Sequence, residues 1–120
     1  MARRVLLVED SFGDRLLMRD VLMEAGCHVV GEAKSFEEMM EKYPNLRPDI
    51  VMIDAAIPSN DGVSAVIKLL HKDADATVLI AATRGQRMLA MEGLRAGAKD
   101  FVTKPLNVRQ LRRVLQGIGA

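Results

Sequence analysis

A single cysteine, two histidines and no apolar run of membrane length set the first limits on this chain of 120 residues. Cys27 has no second thiol with which to close an internal disulfide or to form half of a zinc pair, so it reads as a small apolar filler rather than a nucleophile. His28 and His71 stand alone and compose neither a metal site nor a catalytic pair; both are expected at the surface. No stretch approaches the roughly 20 apolar residues of a membrane helix, and Met1-Ala2-Arg3-Arg4 runs straight into a strand-like segment where a signal peptide would place its apolar region. The expectation is a cytoplasmic address without a membrane. Excess charge is missing too. With 17 Lys and Arg against 16 Asp and Glu, the net charge of +1 gives no footprint for nucleic acid or anionic lipid. Arg109, Arg112 and Arg113 gather near the end without interleaved aromatics, which marks a solvated face or a protein contact rather than a nucleic-acid surface. There is no long-period repeat, low-complexity tract or linker, so residues 1–120 are expected to form one domain. The closing Gln116-Gly117-Ile118-Gly119-Ala120 fits either a stand-alone protein or a piece of a longer one.

What is present is enough apolar material for a core, 49% of residues, patterned in a recurring order. Apolar runs at Val5 to Val8, Val29 to Val30, Ile50 to Ile53, Val78 to Ala82 and Phe101 to Val102 read as strands, and each is followed by a helical pattern. Leu16, Leu17, Val21, Leu22 and Ala25 stripe the first helix, which Gly26 closes. Ser35 and Glu38 open the second as a capping box, ahead of Phe36, Met39, Met40 and Tyr43. Val63, Val66, Ile67 and Leu70 mark the third, and Met88, Leu89, Met91, Leu94 and Ala98 the fourth. Asn107 caps the fifth, with Val108, Leu111, Val114, Leu115 and Ile118 on its inner side. The methionines Met18, Met39, Met40, Met52 and Met91 fit core positions. Strands alternating with crossover helices predict an α/β fold, (βα)₅ and doubly wound, with a five-stranded parallel sheet in the flavodoxin-like order 2-1-3-4-5.

Such sheets bind ligands beyond the carboxyl ends of their strands, where the strand order reverses. There the first strand ends in Glu9-Asp10, the third in Asp54, the fourth in Ala82-Thr83 and the fifth in Thr103-Lys104-Pro105. Three carboxylates crowded together cannot all stay ionised unless a cation joins them, and oxygen-only ligands suit a hard ion such as Mg²⁺. Asp54, at the end of the apolar run Ile50-Val51-Met52-Ile53, is held rigidly with only its tip in the cleft. That placement favours a nucleophile able to form an acyl phosphate, with Lys104 as the point charge facing the transferred group.

Over essentially its whole length the chain resembles the response-regulator receiver domains of two-component systems. The resemblance rests on Glu9-Asp10-Ser11 followed by Arg15, on Asp54 with Pro58 and Asp61-Gly62, on Ala96-Gly97-Ala98, and on Lys104-Pro105. Gly97-Ala98-Lys99-Asp100-Phe101 draws it nearest to the stand-alone, CheY-like chemotaxis regulators. The resemblance implies that Asp54 is the phosphoacceptor and that Asp10 and Asp54 ligate Mg²⁺ directly. It implies further that Glu9 acts through water, that the backbone carbonyl of Ala56 completes the protein ligands, and that Lys104 contacts the phosphoryl group. Phe101 matches the family's rotating aromatic, and the Lys104-Pro105 bond is expected to be cis. The implied partners are a sensor histidine kinase or phosphotransfer protein and a downstream protein target, met by a monomer through the fourth helix, fifth strand and fifth helix. The resemblance implies a receiver without an output domain, a signalling switch and not a metabolic enzyme.

One position departs from the family pattern. Twenty-two residues before Lys104, where the family carries a Ser or Thr hydroxyl, stands Ala82, and the hydroxyl comes one residue later at Thr83. A hydrogen bond to a charged group is worth about 1.5 to 3 kcal/mol, comparable to the coupling of an allosteric switch. Phosphorylation with weakened switching is one expectation; a degenerate receiver that docks its partner without phosphorylation is the other. Ala56 also lacks the acid that an aspartyl-nucleophile phosphatase needs two residues after its nucleophile, and cannot position a hydrolytic water, so self-hydrolysis should be slow. A flavin carrier is set aside because Asp10-Ser11-Phe12-Gly13-Asp14 is acidic where a phosphate cradle is not.

Overall fold

The structure, a computed structural model, describes residues 2–57 and 60–119, with the backbone alone at 60 and 61. Pro58 and the side chain of Asp61, which help to carry the resemblance, lie outside the described residues. Five strands, β1 (Arg4–Val8), β2 (His28–Ala33), β3 (Ile50–Asp54), β4 (Val78–Ala82) and β5 (Asp100–Thr103), alternate with α1 (Phe12–Glu24), α2 (Phe36–Leu46), α3 (Gly62–Lys72), α4 (Arg87–Ala96) and α5 (Val108–Gly117). The strands pair in parallel in the order 2-1-3-4-5, as the alternating pattern predicted. A two-residue antiparallel ladder, Ala56–Ile57 against Asn60–Asp61, closes the loop after β3 and was not foreseen.

Strand alternation splits the core in two. Leu6 and Val8 of β1 join Met39, Val51, Ile53, Val66, Leu69 and Ile80 under α2, α3 and α4. Val5 and Leu7 join Met18, Leu22, Met52, Leu79, Val102 and Leu111 under α1 and α5. Burial on both faces is why the central strands read as unbroken apolar runs, each large side chain contributing about 1.5 to 3 kcal/mol. The edge strands β2 and β5 are only half-buried along most of their length, which is why their runs are short.

The helix stripes differ from expectation in three places. α1 buries Arg15, Met18 and Leu22, whereas Leu16 and Leu17 are 48% and 60% exposed. Ile67 on α3 and Met88 on α4 are also exposed, while the small residues Ala65, Ala90 and Gly93 meet the sheet. A stripe read from large apolar residues overlooks a helix seated close on small ones. Capping follows the sequence more closely. The Ser35 hydroxyl accepts the Glu38 N–H at 3.1 Å while the Glu38 carboxylate turns to Lys42, and Asn107 Oδ1 accepts the Gln110 N–H at 3.0 Å. Gly97 ends α4 at φ 121°, a left-handed conformation that other residues resist. Cys27 is buried in the core and burial pushes its thiol pKa up, while His28 and His71 are exposed. Met18, Met39 and Met52 are buried, and Met40 and Met91 half-buried. Among the described residues no helix is long and apolar enough to cross a membrane.

Candidate functional site

Glu9 comes immediately after β1 and is 1% exposed. Its backbone is fixed twice: the N–H donates to the Ala33 carbonyl at 2.9 Å, and its own carbonyl accepts from the Arg15 guanidinium at 2.9 Å. Arg15 is itself buried and locked by Glu32 at 2.8 Å, whose second oxygen takes Arg19 at 2.9 Å. A paired, buried guanidinium therefore pins the turn from β1 into α1. The Glu9 carboxylate accepts from the Ser11 N–H at 3.1 Å and from Lys104 Nζ at 2.7 Å. Asp10, next in the chain, is exposed.

Asp54 ends β3 at 4% exposure with both oxygens engaged. Oδ1 accepts from Lys104 Nζ at 2.7 Å and Oδ2 from the backbone N–H of Ala56 at 3.1 Å. The loop can fold this tightly because α3 begins with Gly62, where a Cβ would lie 2.9 Å from the Asp54 carbonyl oxygen and 3.0 Å from the Ala55 Cα. Lys104 follows β5, its N–H donating to the Ala82 carbonyl at 2.8 Å, and the Lys104-Pro105 bond is cis.

Carboxylate oxygens of Glu9, Asp10 and Asp54 all lie within 4.8 Å of one another. Burial raises the pKa of Glu9, although hydrogen bonds from Lys104 and Ser11 oppose it. For Lys104 burial acts downward, but the hydrogen bonds to Asp54 and Glu9 outweigh it and raise its pKa above the ordinary lysine value. The oxygen-only donor set fits a hard divalent cation, which would relieve the repulsion among the three acids. Lys104 pairs with two of the three, Glu9 and Asp54, each at 2.7 Å.

The structure thus gathers Glu9, Asp10, Asp54 and Lys104, with Ala56 at the rim. Ala82, Thr83 and Phe101, the residues expected to switch, stand outside this cluster, although Thr83 lines a pocket together with Asp14 and Lys104. Ala82, the last residue of β4, is buried beside a cavity of about 350 Å³ lined also by Thr83, Arg84, Arg87, Ala90, Phe101 and Thr103. Thr83 is exposed and opens the turn Arg84–Gln86, donating its N–H to Gln86 Oε1 at 3.0 Å. Phe101 is half-buried against this cavity rather than in the acidic cleft. Two further participants escaped sequence reasoning. Asp14 reaches Lys104 Nζ at 3.1 Å, and Glu32 orients Arg15. An acid in a first helical turn ordinarily reads as a partner of the helix dipole, so nothing in the sequence tied Asp14 to a lysine ninety positions on.

Comparison with known proteins agrees with this geometry. A family model described as the response regulator receiver domain matches residues 5–116. The chain is 36% identical to the chemotaxis protein CheY of Thermotoga maritima, covering 98% of this chain and 96% of that one. It is equally identical, over the same shares, to CheY of Bacillus subtilis. Among solved structures it is similar to a CheX–CheY complex with BeF₃ and Mg²⁺ from Borrelia burgdorferi, at a TM-score of 0.86 and 27% identity over 97% of this chain and 88% of that one. Receiver domains bind Mg²⁺ at an acidic pocket, and this chain carries an acidic cluster beyond the ends of β1 and β3. With the family match reaching from β1 into α5 and two chemotaxis regulators more than a third identical over nearly their whole length, the chain belongs to the response-regulator receiver family and is CheY-like within it.

Proposed function

We propose that this receiver is a phosphoacceptor switch in which Asp54 takes a phosphoryl group from the phosphohistidine of a sensor kinase or phosphotransfer protein. The observation that carries the reading is the state of Asp54: buried, with one oxygen on Lys104 and the other on the Ala56 N–H, inside a cluster of acids. Mg²⁺, held by Asp10, Asp54 and the Ala56 carbonyl and by Glu9 through water, would supply charge neutralisation for the transferred group. The rest of the work belongs to the chain. The Asp54 carboxylate attacks phosphorus as the bond from phosphorus to the donor nitrogen breaks, and the electron pair leaves with the imidazole. The Ala56 N–H holds the non-attacking oxygen, and the Lys104 ammonium meets the charge on the phosphoryl oxygens.

Output would pass through α4, β5 and α5 to a protein target, with the module acting in the cytoplasm as a monomer over residues 1–120. The CheX–CheY complex, which carries BeF₃ and Mg²⁺, supports the same ligand pair and a protein partner here. Ala56 offers no polar side chain to orient a water, so the phosphoryl group is expected to persist for longer than seconds.

A second reading, a docking module independent of phosphorylation, is favoured by one observation: a methyl group stands at Ala82, where the family hydroxyl would be. Labelling by acetyl phosphate, read by intact mass on wild type and Asp54→Ala, decides between them. One adduct of about 80 Da that needs both Mg²⁺ and Asp54 is the result expected of a phosphoacceptor. No adduct, with Mg²⁺ still bound, would leave the docking module.

A further inference from the structure

Among the described residues the Lys104 ammonium has three carboxylate partners, and two of them, Glu9 and Asp54, belong to the acidic cluster. The third is Asp14, with Oδ2 at 3.1 Å from Nζ. Its place is built in. Ser11 caps α1 by accepting the Asp14 N–H at 3.3 Å, and the next residue, Arg15, is locked between the Glu9 carbonyl and Glu32. The three acids differ in what they cost when left without a cation. The Glu9 and Asp54 side chains are 2% and 5% exposed, whereas Asp14 is 48% exposed and solvated.

A divalent cation held in the cluster, by Asp54 directly and by Glu9 through water, would draw on the two carboxylates that now accept from Lys104 at 2.7 Å. A largely buried ammonium left without acceptors is expensive, and Asp14 is the partner that the cation does not claim. Charge leads the same way. Glu9, Asp10, Asp54 and Asp14 give four negative charges, against three positive ones once a divalent ion joins Lys104. An anionic phosphoryl group then approaches a site with one negative charge in excess, an excess that is absent without Asp14.

We propose that Asp14 is the resting partner of Lys104, keeping the ammonium paired while a divalent cation engages Glu9 and Asp54, and competing with the incoming phosphoryl group for the same N–H donors. The inference rests on the phosphoacceptor reading of Asp54. Asp14 is then a positioning residue that acts through Lys104, and it favours the metal-bound, unphosphorylated state over the phosphorylated one.

The test is Asp14→Asn, which keeps the shape and removes the charge, with Asp14→Glu as the conservative control. Calorimetry should show Mg²⁺ binding weakened by roughly two- to fivefold, and fluorine NMR at saturating Mg²⁺ should show beryllofluoride binding tightened by roughly two- to fivefold, the range for a half-exposed ion pair. Asp14→Glu should stay near wild type in both. Repeating the Mg²⁺ titration in a Lys104→Gln background separates pairing from bare field, because a residue that acts through the ammonium loses most of its effect when the ammonium is gone. Affinities that stay fixed, affinities that move in the same direction, or a full Mg²⁺ shift that survives Lys104→Gln would each overturn the proposal. Wild-type protein that binds Mg²⁺ but takes up no beryllofluoride would instead overturn the phosphoacceptor reading, and the competition with it.

Discussion

Lys104 Nζ lies 2.7 Å from Asp54 Oδ1, joining residues 50 positions apart and two strands apart in the sheet. The strand between them, β4, ends in Ala81 and Ala82, both buried and both small. The same ammonium holds Glu9 at 2.7 Å, so one cation serves the ends of β1 and β3 together. The cleft is therefore assembled by charge as well as by sheet geometry, and its stability depends on which cation is present.

Removing that cation should reveal the dependence. Lys104→Met leaves the buried carboxylates of Glu9 and Asp54 without a partner, and breaking a buried pair from one side costs about 3 kcal/mol or more. In chelator at neutral pH, urea unfolding should place the variant lower by about 3 kcal/mol. Mg²⁺ should return most of the loss and bind more tightly than to wild type, because no ammonium competes for the oxygens. A variant as stable as wild type in chelator would contradict this account of the cleft.

Asp10 should behave in the opposite manner. It is exposed, so Asp10→Ala should change metal-free stability by less than about 0.5 kcal/mol. The variant should nonetheless lose its response to Mg²⁺. At a hundredfold excess over Kd a ligand that binds only the folded state adds about 2.7 kcal/mol, roughly a 10 °C rise in Tm for a domain of this size. Calorimetric scans of both proteins with and without Mg²⁺ check the pair of expectations, and a retained Mg²⁺ response in Asp10→Ala would remove Asp10 from the ligand set.

These two variants also show how far the sequence could be read. Glu9, Asp10, Asp54 and Lys104 were legible because each ends a strand on the same edge, a consequence of topology alone. The ordering of the sheet was legible for the same reason. Asp14 was not, because its partner is chosen by a helix cap and a side-chain reach that leave no mark on periodicity. Nor was the inner face of α1, where Arg15 is drawn inward by Glu32 and the Glu9 carbonyl and turns Leu16 and Leu17 outward. Polar pairing overrode the apolar stripe at that turn.

Tyr43 is the chain's only tyrosine and there is no tryptophan, so its ionisation can be followed cleanly by phenolate absorbance. Burial pushes its pKa up, and the hydrogen bond it donates to Asp73 Oδ2 at 2.7 Å adds to the rise. A phenol whose pKa is higher in the folded than in the unfolded chain contributes stability that is fully present below the unfolded value, about pH 10, and is lost as pH rises through the folded value. The phenolate signal should therefore appear only well above pH 10 or together with unfolding. Tyr43→Phe should cost about 1 to 2 kcal/mol at neutral pH and remove that alkaline loss. An ordinary phenol titration near pH 10 in folded protein would refute the assignment.

The proposed switch depends on position 82, where the sequence has Ala82. It lines the cavity of about 350 Å³ on which Phe101 borders, and it carries no hydroxyl that could draw the loop toward a phosphoryl oxygen. Ala82→Thr adds that hydroxyl at a buried strand end with room beside it, at a strain cost that the adjacent cavity keeps small. A hydrogen bond to a charged oxygen is worth about 1.5 to 3 kcal/mol, enough to shift a two-state loop by roughly ten- to a hundredfold. NMR of wild type should show beryllofluoride shifts concentrated around Asp54 and Lys104 and small across Thr83 to Phe101. In Ala82→Thr the perturbation should spread through Arg84, Arg87 and Phe101. Wild-type shifts that already match those of Ala82→Thr would show that the hydroxyl is dispensable and that the loop is drawn inward by another group, with Thr83 the nearest hydroxyl in the chain.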